Sequence, residues 1–86
     1  MARYEMELRN MRAEVVLRAL AQVGGEAISE TQARGRGWTA QLEPLDSVRL
    51  GVMVISRSLL VIEGEDDGLV TPVYDHMRRS MVRGGG

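Results

Sequence analysis

The sequence predicts an α+β domain, in which an antiparallel β-sheet carries two amphipathic helices on one face in the order β-α-β-β-β-β-α. Three observations predict it. Residues 2–9 alternate apolar and charged, the period of a strand with one wet face. Two stretches, one after Asn10 and one after Thr71, repeat their apolar residues at helical spacing instead. Between them lies the most apolar run of the chain, Val48 to Glu63, VRLGVMVISRSLLVIE. Its many β-branched residues pack well on a pleated surface and lose rotamer freedom in a helix.

In the first strand Ala2, Tyr4, Met6 and Leu8 face one side, and Arg3, Glu5, Glu7 and Arg9 the other. Asn10 has the side chain of a helix N-cap. Met11, Val15, Val16, Ala19, Leu20 and Val23 then form one apolar stripe, which Gly24-Gly25 ends by supplying a left-handed residue. Glu26 to Pro44 reads as a polar β-hairpin turning at Arg34-Gly35-Arg36-Gly37. Its first strand is expected at an exposed edge, and its second turns Trp38, Ala40 and Leu42 to the core. Pro44 cannot donate to a ladder and marks a strand end. Leu45-Asp46-Ser47 then turns the chain into the apolar run.

As one strand that run would span roughly 50 Å at about 3.3 Å per residue, so it is expected to fold back, near Ser56-Arg57-Ser58. Val48, Leu50, Val52 and Val54 would share one side, with Met53 and Ile55 on the other, and Leu60 and Ile62 would oppose Leu59 and Val61. Strands apolar on both sides are central and covered on both faces. The last helix is expected to start with Thr71 as N-cap and Pro72 in the first helical position. A start at Asp67 would place Pro72 where its ring clashes with the preceding turn. Val73, Tyr74, Met77, Met81 and Val82 form its buried stripe. Residues 1–83 thus make one domain, with 84–86 as a flexible glycine tail. The alternative architecture is a ferredoxin-like split βαβ with an inserted polar hairpin. The last strand and helix, with an acidic strand end and arginines late in the helix, resemble the small dimerising subunit of the KEOPS tRNA-modification complex. The long middle of the chain departs from that family, and no residue is carried over from it.

Composition narrows the function classes. A chain of 86 residues is one domain, and it buries only about 60–65% of its unfolded surface, a deficit that self-association commonly repairs. There is no cysteine, hence no thiol chemistry, and no lysine, hence neither a Schiff base nor a Walker lysine. A net charge of −1 supplies no field toward nucleic acid or anionic membranes. The charged first ten residues lack a signal-peptide core, and no run is long enough to span a bilayer, so a cytoplasmic protein without a membrane partner is expected.

Five features invite a site. At the hairpin tip, Arg34, Arg36 and Trp38 could contact phosphates and stack on a base, whereas a plain turn would fold Trp38 inward beside Leu42. The acidic Glu63, Glu65, Asp66 and Asp67 lack the ligand spacing of a calcium loop and read as a solvated loop. His76 is alone and reads as a helix-surface residue, with no partner for metal or general-base work. Arg78, Arg79 and Arg83 suit a helix C-terminus. No catalytic motif, metal set or cofactor signature occurs, so no enzyme is expected.

The fifth feature is the second apolar face of the central strands. With both helices on the other side, Met53, Ile55, Leu59 and Val61 await cover, either from the polar hairpin or from a second copy packing sheet on sheet. The expected function is therefore a non-catalytic module acting through self-association as a homodimer, with a further protein partner. The alternative is nucleic-acid or phosphate binding through the Arg34–Trp38 tip. A third reading is small-ligand binding between sheet and helices.

Overall fold

In the computed structural model, which describes the backbone of residues 1–85 and the side chains of residues 1–81, the alternating first segment becomes β1 (Ala2–Arg9). It is followed by α1 (Ala13–Ala21), β2 (Glu26–Ala27), β3 (Gln32–Gly35), β4 (Trp38–Leu50), β5 (Met53–Gly64) and α2 (Asp67–Gly85). The five strands form one sheet, ordered β1-β5-β4-β3-β2, in which every neighbouring pair is antiparallel. Both helices lie on one face of it. Val16, Ala19 and Leu20 of α1 and Val70, Val73 and Met77 of α2 share a core with Leu8, Trp38, Ala40, Leu42, Leu60 and Ile62 of the sheet. The expected α+β class and element order are thus present. So is the split βαβ of the alternative reading, because β1 and β4 run parallel on either side of β5.

The element order hides two errors that offset each other. The polar strand expected from Glu26 onward breaks into β2 and β3 around a bend in which Ser29 Oγ accepts the Thr31 N–H at 3.2 Å. The strand end expected at Pro44 does not occur. β4 runs on for 13 residues through a bulge, the register passing from Leu45↔Arg57 to Val48↔Ile55. The chain reverses at Gly51-Val52 rather than at Ser56-Arg57-Ser58, which lies inside β5. Gly51, at φ +63, takes the first central position of a two-residue turn, where a type II′ turn needs glycine. This reversal also corrects the predicted faces. Val48 and Leu50 pair with Ile55 and Met53, so all four share the face opposite the helices.

The helix starts differ as well. Asn10 does not cap α1; at φ +53 it turns the chain out of β1, a conformation asparagine tolerates, and Arg12 holds the cap position without a side-chain bond. The end of α1 is as expected. Gly24 takes the left-handed position, its N–H bonding Ala21 O and that of Gly25 bonding Leu20 O, the two bonds of a Schellman motif. α2 begins a turn before Thr71, and Pro72 lies inside it. Asp66 makes this start favourable, because its carboxylate accepts the Gly68 N–H at 2.8 Å and its carbonyl accepts those of Leu69 and Val70. The bond that Pro72 cannot make would have gone to the carbonyl of Gly68, an exposed residue whose carbonyl water can serve. The extra turn buries Val70 completely. α2 is continuous through Gly85, past the start of the expected tail, while Gly86 and the Val82 side chain lie outside the described residues.

The candidate association surface

β1 and β3 cover only part of the long β4–β5 ladder. β1 pairs β5 as far as Arg9↔Arg57, and β3 pairs β4 as far as Gln32↔Gln41. Among the described residues the two strands continue alone beyond them as an arm, giving the molecule a long axis of 43 Å against 22 and 21 Å across. The arm's face opposite the helices carries Val48, Leu50, Met53 and Ile55, and its other face carries Arg49, Val54 and Ser56. Leu50, Met53 and Val54 are 55%, 59% and 60% exposed, and Val52 at the turn is fully exposed.

An ionic clamp holds the base of the arm. Arg57, on β5 at the bulge, donates to the Asp46 carbonyl at 3.1 Å and to Glu7 Oε1 of β1 at 2.9 Å. Glu7 Oε2 also accepts from Arg9 at 2.9 Å. Hydrogen bonds from Arg57 and then from Arg9 hold the Glu7 carboxyl down to about 2, well below its usual 4.5, and the same contact with Glu7 raises the Arg57 guanidinium above its ordinary value. Three strands are thereby fastened together where the sheet narrows to two.

The four residues expected to form a self-association face divide at this clamp. Met53 and Ile55 lie on the open arm. Leu59 and Val61 continue the same side of β5 into the body, where Leu59 is half-buried and Val61 is only 3% exposed. Their cross-strand neighbours are Glu7 and Glu43 for Leu59, and Glu5 and Gln41 for Val61. Long polar side chains on both sides shield these two apolar residues, so the body needs no further cover there. The polar hairpin does not fold over this face; β2 and β3 extend the sheet sideways.

At the hairpin tip Trp38 is 5% exposed and belongs to the core, so its ring offers no open face for stacking. The glycine at position 35 serves that packing, since a Cβ there would fall on the Trp38 indole. Arg34 is exposed on the face opposite the helices, between Glu26 and Thr39 on adjacent strands, and Arg36 is exposed at the turn. An open depression of about 540 Å³ lies between this tip and the start of α2, bordered by Arg34, Thr39, Glu63, Glu65, Asp66 and Leu69. Its carboxylates oppose phosphate binding. Arg78 is twelve residues along α2 from Asp66, about 18 Å at 1.5 Å per residue, so Arg78 and Arg79 do not join the tip arginines in one patch. The side chain of Arg83 lies outside the described residues.

His76 is not a free surface residue. Its Nε2 lies 3.1 Å from the Ala19 carbonyl near the end of α1 and 3.4 Å from Ser80 Oγ, which ties the two helices together. Among the described residues no group of three or more His, Asp and Glu could hold a metal ion, and no helix is long and apolar enough to cross a membrane. Residue patterns missed the clamp and the arm itself. The signal for the arm was Gly51, flanked on each side by apolar residues at alternate positions, as a two-residue hairpin turn requires.

No curated protein matches this sequence. A family model does, over residues 4–86, from the third residue of β1 past the end of α2, and its description is "Archaeal MoaD-like protein". That span covers nearly the whole chain, the arm and its clamp included: the chain belongs to the Archaeal MoaD-like protein family.

Proposed function

We propose that this small α+β protein is a non-catalytic association module that works through its β4–β5 arm, by pairing with a second copy and docking a further protein. One observation carries the reading. Leu50, Val52, Met53 and Val54, four large apolar residues at consecutive or near-consecutive positions, are each more than half exposed on one projecting ribbon. Scattered apolar residues are ordinary on a surface, but a contiguous group on a two-stranded projection is the kind of patch that marks an interaction site. Isolated two-stranded ribbons are marginal in water, so contact with another chain also stabilises the arm itself. The expected face is thereby redrawn: Met53 and Ile55 are kept, Val48 and Leu50 join them, and Leu59 and Val61 belong to the body.

Size-exclusion chromatography with light scattering tests this reading. The expected result is a species of twice the 9.5 kDa chain mass, reduced to one chain by Met53→Glu with the circular dichroism spectrum unchanged. A wild-type chain that stays monomeric at high micromolar concentration would sink the reading.

A further inference from the structure

We infer that the open edge of β5 beside Val54 is a strand-addition site for a second copy of this chain, the two β5 strands pairing antiparallel about a two-fold axis through Val54. The inference rests on the association reading above and specifies its geometry.

The direction of the backbone groups comes from the ladder. Asn10 donates its N–H to Ser56 O at 3.0 Å, so the even-numbered residues of β5 turn their N–H and C=O toward β1, and the odd-numbered ones turn toward β4. β1 stops at that point, because Asn10 at φ +53 carries the chain away toward α1. Val54 is the next residue of β5 whose backbone faces that side, and among the described residues no strand lies beside it.

The arm's other edge is different. Leu42 donates to Thr31 O at 2.8 Å, so the next β4 residue to face outward past the end of β3 is Pro44, which has no N–H. The bulge between Leu45 and Val48 follows, and then the charged Arg49. Proline, a bulge and a charge are three of the devices that keep a strand edge from pairing. Met53-Val54-Ile55 carries none of them.

The segment is also complementary to itself. An axis through Val54 sets Val54 against its own copy as a hydrogen-bonded pair. It also sets Met53 against Ile55 twice, on the face that already carries Val48 and Leu50. A shift of one residue would oppose residues from different faces, and a shift of two toward the body would set Met53 against Arg57, a position that Arg9 of β1 already flanks. The pairing fills the slot beyond the end of β1. It covers the β5 edge at Met53 and Val54, which are 59% and 60% exposed, as part of the ~800 Å² per partner in a standard interface.

Val54→Pro separates this geometry from face-to-face packing, because residue 54 turns no backbone group toward β4. The expected result is a monomer by light scattering with the wild-type circular dichroism spectrum. A dimer that survives Val54→Pro yet is split by Met53→Glu overturns the strand pairing and leaves the association reading standing. A wild-type monomer overturns both. Where Val54→Pro fails to fold, Val54→Cys decides in a chain with no other cysteine. Mild oxidation should give a disulfide-linked dimer many-fold faster than it does for Ile28→Cys, an exposed position near the far edge. Equal rates for the two overturn the pairing.

Discussion

β4 and β5 are two different objects along their length. In the body they are flanked by β1 and β3 and roofed by both helices, and Leu60 and Ile62 are at most 1% exposed. Past the Arg57 clamp the same strands have no neighbour and no roof among the described residues, and residues of equal hydrophobicity are more than half exposed. Apolar character alone therefore does not identify a core residue; the extent of the neighbouring strands decides which half of a hairpin is interior. The difference teaches that folding energy is concentrated in the body, which leaves the arm free for the association proposed above.

The comparison is sharpened by perturbing each region in turn. Leu60→Ala in the body should cost about 2–5 kcal/mol in urea unfolding, enough to unfold a large fraction of a chain this small. Gly64→Ala should cost about 1–3 kcal/mol, because the added methyl meets the Gly37 carbonyl and the Val70 side chain, and heat denaturation would show it. Asp66→Ala removes the cap of α2 and should lower unfolding free energy by about 1 kcal/mol.

Glu7→Gln at the boundary should have a smaller effect, with a pH signature. The folded carboxyl is depressed from 4.5 to about 2, so its stabilisation is present above pH 4.5 and lost as pH falls toward 2. Denaturation midpoints of wild type and variant should converge across that window and differ less in high salt. Smallest of all, Leu50→Ser on the arm should shift monomer unfolding by no more than about 0.5 kcal/mol. A cost like that of Leu60→Ala would break the comparison, since it would place the arm inside the folding core.

Much of the body was legible in the sequence, because each element there obeys its own local rule. β1 alternates without interruption, the α1 stripe is regular, and Gly24 closes that helix as its position suggests. Elsewhere long-range contacts override the local signal. Pro44 looks like a strand end, but it is the first outward-facing residue past β3, so its missing N–H costs no ladder bond and the strand continues. Pro72 looks like a helix start, but Asp66 and the buried Val70 favour a start one turn earlier. The candidate surface was half legible. Met53 and Ile55 were recognised as uncovered, whereas the shielding of Leu59 and Val61 depends on which residues of β1 and β4 flank them, and no spacing within β5 records that.

The bulge in β4 has a consequence for how the arm is sorted. Were the ladder to continue in the register of Leu45 and Arg57, position 49 would fall opposite position 53, and position 48 opposite 54. Arg49 would then stand in the middle of the apolar face, with Val48 on the other side. The extra residue acts as a phase shift in a two-beat pattern. It moves the single cation of the ribbon to the helix side and gathers Val48, Leu50, Met53 and Ile55 on the other. Removing the bulge while keeping its residues would therefore leave composition and length unchanged and abolish the sidedness of the arm.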